Sequence, residues 1–243
     1  MPRIIPLFLL CAAANAAEVA QFRAEDFGPE WPAARGRATL SAVHAPANGW
    51  AAAFADGGGV SFDATNGVAS PLAFDSAVTV PVSRVMIVAC CAGAESWASL
   101  LDAPTGAALA PRTFARESAS FAAGNCLGAV AVSVDGTPGA AMPTDSTPHL
   151  VEISFPEPVS AADLYLGGHP ASPSWNRSWR GKVHEALFCF GETAAAEDEA
   201  IRAYLSLRWR LGLDFDTPPD IAGRLRALGV DPGTAYDTVL ILR

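Results

Sequence analysis

The sequence predicts an all-β protein, a sandwich or barrel of short strands, with one amphipathic helix near the C-terminal end. Three observations predict it. First, 21 glycines and 19 prolines cut the 243 residues into short pieces with turn signals between them. Second, β-type runs fill the pieces: GVSFDA (59–64), SAVTV (76–80), RVMIVACC (84–91), GAVAVSVDG (128–136), HLVEISF (149–155) and ADLYLGG (162–168). Third, GKVHEALFCFGETAAAEDEAIRAYLSLRW at 181–209 sets an apolar strand directly before a helical pattern.

The elements follow in order. MPR, the apolar run IIPLFLLCAAA and the small residues Ala14-Asn15-Ala16 read as a secretory signal peptide over 1–16. The run is too short to span a bilayer. A lipid anchor at Cys11 fits less well, because Phe8-Leu9-Leu10 places bulky residues where small ones are needed. Export to the periplasm, the cell surface or the medium follows as an expectation. Asp135-Gly136 closes one strand and predicts a hairpin tip; Asn66-Gly67 marks a second turn.

RVMIVACC and the ALFCF run at 186–190 are apolar on both alternations, whereas a half-exposed strand would alternate. These strands are therefore central and covered on both faces. One cover is the opposing sheet; the helix is the natural second. Thr193 is placed to cap that helix, Glu197, Asp198 and Glu199 open it, and Arg202, Arg208 and Arg210 lie toward its end, as the helix dipole favours. Ile201, Tyr204, Leu205 and Trp209 form one apolar stripe, and Gly212 supplies a stop. The domain thus spans 17–213. Residues 214–243 form a short appendage, with a linker DFDTPPD, a helical IAGRLRALGV and a terminal TVLILR that adds a strand or docks on a partner.

Composition bounds the function. Hydrophobic residues at 51% and charged residues at 17% specify a packed core. Net charge is −9 and fifteen of the sixteen basic residues are Arg, with no basic stripe, which argues against nucleic acid and anionic membrane surfaces. No later segment is long and apolar enough to cross a membrane as a helix. After the leader four cysteines remain. Cys90 and Cys91 are strand neighbours pointing to opposite faces, so they need different partners, Cys126 and Cys189. Either up to two disulfides form or all four are buried thiols.

The sequence resembles the concanavalin A-like lectin/glucanase superfamily, specifically bacterial laminin-G-like jellyroll domains. LYLGG (164–168), Asn176-Arg177-Ser178-Trp179 and Gly181-Lys182-Val183-His184-Glu185-Ala186-Leu187 match its strand, Asn-rich loop and Gly-x-Ile/Val-x-Glu strand. AEDEAIRAYLSLRW is similar to its terminal helix, GVSFDATNGVASPL to its early strand pair and VSVDG to its hairpin. The resemblance covers roughly residues 38–213. It implies a two-sheet antiparallel jellyroll sandwich, sugar-binding, adhesive or scaffolding work, and in some members calcium, for which this sequence shows no motif, leaving a metal site unknown. It implies a structural role for Glu185.

Catalytic patterns are missing. Glycosidases need two carboxylates about 5–9 Å apart, and the sandwich enzymes carry Glu-x-Asp-x-x-Glu, which does not occur here. Glu197-Asp198-Glu199 opens a helix, where acids belong. His184-Glu185 continues Ala-Leu-Phe without a second His. The histidines at 44, 149, 169 and 184 are scattered and read as surface or strand-edge residues. The best binding segment is GHPASPSWNRSWRG (168–181), which offers His169, Trp175, Asn176 and Arg177: flat aromatic faces for sugar CH groups, amide and guanidinium donors for hydroxyls. Trp179 is read as packing beneath it; Trp97 and Trp50 are further aromatic positions. The expectation is a non-catalytic module that binds glycan or a cell-surface protein. A glycoside hydrolase or polysaccharide lyase on the same sandwich, or a structural subunit assembling through the C-terminal strand, are the alternatives.

Overall fold

The computed structural model describes residues 17–34, 38–43, 52–55, 58–62, 71–75, 78, 80–92, 98–102, 116–117, 120–121, 131–168, 178–216 and 218–233. It is a two-sheet antiparallel β-sandwich with two α-helices on the outer face of the larger sheet. Strands are numbered along the chain. The larger sheet runs β12 (Thr137–Pro138), β11 (Ala131–Val134), β13 (His149–Ser160), β7 (Pro81–Cys91), β15 (Gly181–Phe190), β5 (Gly59–Ser61) and β4 (Ala53–Ala55). β1 (Glu18–Arg23) pairs with the 185–190 half of β15, so β1 and β5 share one edge of that strand. The smaller sheet runs β2 (Trp31–Pro32), β3 (Thr39–Ala42), β6 (Leu72–Phe74), β14 (Tyr165–Leu166) and β8 (Leu101–Asp102). β9 (Arg116–Glu117) and β10 (Ser120–Phe121) form a separate pair.

The double apolar alternation of β7 and β15 has the expected cause. Val85, Ile87, Ala89, Val183, Ala186 and Phe188 point into the core between the sheets. There Phe22, Phe74 and Phe188 meet edge to face, with centroids 4.9 to 5.8 Å apart. Met86, Val88, Leu187 and Cys189 point the other way, against Ile201, Tyr204 and Leu205 of α1 (Ala195–Arg208) and Ile221 and Leu225 of α2 (Ile221–Ala227). The helices are thus the second cover. Ion pairs pin α1 from above: Arg84 on β7 to Asp198, and Arg202 to Glu152 on β13 at 2.9 Å.

Several local expectations change. The strand expected at SAVTV is displaced: pairing is made by Leu72–Phe74, while Val78 and Val80 lie in the connection to β7. Thr193 does not cap α1. Its hydroxyl donates to Asp198, and Glu197 instead reaches back to the Ala194 N–H at 2.7 Å. The helix stops at Arg208, four residues before Gly212. Arg210 takes the left-handed position (φ 53°) while Leu211 N–H donates to the Ser206 carbonyl, the Schellman arrangement. The segment after 213 is built into the body, since Ile221, Leu225, Leu228 and Val230 are all buried in the outer-face cluster. TVLILR and Asn66-Gly67 lie outside the described residues. Asp135-Gly136 is a two-residue hairpin turn with both φ values positive (51° and 76°).

The disulfide expectation fails for Cys189. Cys90, Cys91 and Cys189 are buried and form no disulfide with one another. Cys189 lies opposite Arg84, six residues along β7 from Cys90. At about 3.3 Å per residue that is about 20 Å, against a bridgeable Cα separation of about 7 Å at most. Cys91 faces the inter-sheet core, so the opposed orientation of the Cys90-Cys91 pair holds. Cys126 lies outside the described residues.

Candidate functional site

Trp97, His169, Trp175, Asn176 and Arg177 lie outside the described residues, as do Trp50, His44 and the histidine-bearing start of their loop. What the structure describes is where their segments begin and end. Ala92 N–H donates to the Arg180 carbonyl at 2.7 Å, so the chain leaving β7 before 93–97 is bonded to the chain returning after 169–177. Two glycines make this root tight. A Cβ on Gly181 would stand 1.9 Å from the Cys90 carbonyl oxygen. Gly167 has φ +81° and lies so near Phe62 that a Cβ would overlap its ring. Trp179 sits between them, fully buried, with Nε1 donating to the Cys90 carbonyl at 3.0 Å and its N–H to the Gly167 carbonyl at 3.0 Å. Its expected packing role is what the structure contains.

The same end of the sandwich carries the Asp135-Gly136 turn and the 140–148 loop. Ser146 N–H donates to the Cys91 carbonyl at 3.3 Å. His149, at the head of β13, bonds Asp135 at 2.6 Å and Asp145 at 3.2 Å.

Glu185 is a heavily engaged polar group. It is fully buried. Oε1 accepts from Gln21 Nε2 at 2.6 Å and Tyr204 Oη at 2.9 Å; Oε2 accepts from Trp209 Nε1 at 2.8 Å and faces Arg208 Nε at 2.9 Å. Gln21 Oε1 in turn accepts the Asp231 N–H at 2.8 Å. One carboxylate therefore joins β15, β1, α1 and the chain after α2. Its environment pushes the Tyr204 hydroxyl far above the ordinary phenol value, by burial first and the Glu185 charge second. Three hydrogen bonds and the Arg208 ion pair hold this buried carboxylate, so Glu185 organises the fold, the structural role that the resemblance implies.

The neighbouring His184 is buried, contrary to the surface or edge reading. It is the extra residue of a bulge between Val183 and Glu185, lies tilted against the Trp209 ring at 5.1 Å between centroids and donates from Nδ1 to the Gly58 carbonyl. Its Nε2 is buried with no partner among the described residues, and burial pulls its pKa below the usual imidazole value.

At the opposite end, β13 leaves the β7 ladder between Ser154 and Val159, and Pro156 and Pro158 have no N–H with which to continue it. The gap is a recess of about 270 Å³ lined by Ser83, Arg84, Ser154, Phe155, Pro156, Pro158, Glu192 and Thr193. Several of its polar groups are engaged locally: Arg84 with Ser154 and Asp198, Ser83 with the Gly191 carbonyl, Thr193 with Asp198.

No group of three or more His, Cys, Asp or Glu among the described residues is arranged to hold a metal ion, and the paired acids near the hairpin, Asp135 and Asp145, face an imidazole. No helix among them is long and apolar enough to cross a membrane. No family model matches the chain, and searches of curated proteins and of solved structures find no match.

Proposed function

We propose that the chain is an exported, non-catalytic recognition module of the laminin-G-like jellyroll kind, binding glycan or a cell-surface protein through the loop end of the sandwich. One observation carries the site: the 2.7 Å bond from Ala92 to Arg180 roots the segment bearing Trp97 and the segment bearing His169, Trp175, Asn176 and Arg177 at one place on a rigid sheet. Binding groups on loops held by a fixed scaffold are the usual architecture of recognition domains. The family reading is supported by the convergence of the residues that carry the resemblance, since Gly181 sets the strand contact and Glu185, Tyr204 and Trp209 share one buried network.

The described acids support a non-catalytic role. Glu185, Glu152 and Asp198 are buried in ion pairs that fasten helix to sheet, whereas glycoside cleavage needs two carboxylates facing one bond across a groove. The test is equilibrium binding of the purified protein to a broad glycan panel, with calcium and with chelator. Saturable binding to a defined oligosaccharide is expected. Silence across the panel refutes the glycan reading and leaves a protein partner, for which deletion of 234–243 and measurement of solution mass is the next test.

A further inference from the structure

The 140–148 loop closes the open end of the sandwich beside the Ala92–Arg180 root. It is solvent-exposed along 143–147, and one residue anchors it inward: Met142 is 1% exposed and belongs to the inter-sheet core. Among the described residues few other bonds hold it. Gly139 and Ala140 N–H groups close the hairpin at its start, and Ser146 N–H reaches the Cys91 carbonyl at a long 3.3 Å. A segment with so few buried contacts opens at low free energy unless something clamps it.

The clamp is an imidazole with a carboxylate on each nitrogen. His149 pairs with Ala89 on the core-facing side of β13, and its side chain is 13% exposed. Nδ1 lies 2.6 Å from Asp135 Oδ2, whose other oxygen accepts the Leu150 N–H at 2.9 Å. Nε2 lies 3.2 Å from Asp145 Oδ1 and 3.1 Å from the Thr147 hydroxyl. Asp145 Oδ1 also accepts from the Thr147 N–H at 2.9 Å and hydroxyl at 2.8 Å. Asp135 belongs to the hairpin turn and Asp145 to the loop, so only the doubly protonated ring donates to both at once.

We propose that His149 is a proton-operated latch that holds the 140–148 loop, with Met142 as its plug, over the open end of the sandwich, and that loss of one ring proton releases the loop. The proton leaves to solvent from Nε2, because the Nδ1 bond is the shorter and its acceptor is fixed by Leu150. The bare Nε2 lone pair then faces the Asp145 carboxylate. The Thr147 hydroxyl turns to donate to it, and Asp145 loses both the imidazolium and that hydroxyl.

Among the described residues Asp135 and Asp145 are the charged groups coupled to the ring. β7 faces it with Ala89, and Lys182, opposite Cys90 on β15, lies on the other face of the sheet two strands away. Burial pulls the His149 pKa down, but bonding to Asp135 and Asp145 outweighs it and the net shift is upward from 6.5. A raised folded-state pKa stabilises the closed loop fully below 6.5, and that stabilisation disappears as pH rises through the raised value. On the acid side Asp145, held down to about 2 by the Thr147 N–H and hydroxyl, keeps its charge throughout.

The test uses the whole protein. His149 is titrated by NMR, and exchange of the 142–147 amides is followed between about pH 5 and pH 9 and corrected for intrinsic rates, a range that brackets imidazole ionisation. The latch predicts a midpoint above 6.5 and faster corrected exchange through the same midpoint. It predicts about tenfold more opening for each unit by which the midpoint exceeds that of Asp145→Asn. Asp145→Asn is expected to lower the midpoint and flatten the pH dependence of exchange, with the overall unfolding transition nearly unchanged. A His149 midpoint at or below 6.5 overturns the proposal, and so does corrected exchange that stays constant while the ring titrates. The readouts on the unaltered protein decide the matter even if a variant folds poorly.

Discussion

Replacing Glu185 by Gln exchanges one carboxylate oxygen for an NH₂ group and strikes the point where four parts of the chain meet. The amide oxygen keeps two of the original donors. The amide NH₂ must then face the other two, donor against donor. If it takes the Oε2 position, it confronts Trp209 Nε1 and Arg208 Nε, which stood 2.8 and 2.9 Å from a carboxylate oxygen. If the amide is flipped, it confronts Gln21 Nε2, and the Tyr204 hydroxyl must turn away. Removing one member of a buried ion pair costs about 3–5 kcal/mol. Arg208 retains Glu25 at the surface, which softens the loss toward the lower end of that range. For a domain of this size each kcal/mol moves the melting midpoint by about 2–4 °C, so a drop of about 6–15 °C is expected. Urea unfolding of parent and Glu185→Gln at neutral pH measures it. A difference below about 1 kcal/mol, the size of one ordinary hydrogen bond, would refute the claim that this carboxylate joins the sheet, the helix and the C-terminal segment.

Three further outcomes follow from named contacts. Arg210→Gly is expected to stabilise by about 0.5–1 kcal/mol, because Arg210 is exposed and holds a left-handed conformation that glycine adopts without strain; a loss in thermal unfolding would contradict the helix end described. The Cys189 thiol, pushed up to about 12 by burial, is expected to stay inert in the folded protein and to react after unfolding without reductant; a disulfide-linked peptide containing Cys189 would contradict the register. His184 is expected to titrate below 6.5, so that its contribution is intact above that value and stability declines as pH falls beneath it; an NMR midpoint above 6.5 would mean that the ring is not buried as described.

The parts of the fold legible in the sequence were those with a local signature. RVMIVACC and ALFCF are apolar on both alternations because sheet and helix cover them from two sides. Asp-Gly fixed a hairpin because both turn residues need positive φ. The stripe Ile201, Tyr204, Leu205 marked the face that lies on the sheet. What escaped was long-range. Gln21 meets Glu185 across 164 positions of sequence, and nothing local in EVAQFR announces it beyond strand alternation. Cys189 stood as a candidate partner for Cys90 or Cys91 until the register placed it at a different height from both. The helix at 221–227 carries Ile221 and Leu225 at i and i+4, a pattern too short to distinguish docking on its own domain from docking on another chain. At the site, Glu185 was legible as structural through the resemblance, and Trp179 through its place beneath the loop. The His149 clamp was not, because the Asp135–Asp145–His149 grouping exists only once hairpin, loop and strand are folded together.

Recognition through the loop end, as proposed, is tested most directly by titration calorimetry of the tightest-binding glycan against the parent protein and Trp175→Ala. Affinity weakened by about 30-fold or more is expected, the effect of truncating an interface anchor by about 2 kcal/mol, with the unfolding midpoint unchanged. Unaltered affinity in a correctly folded Trp175→Ala protein would contradict it and place the binding surface elsewhere on the sandwich.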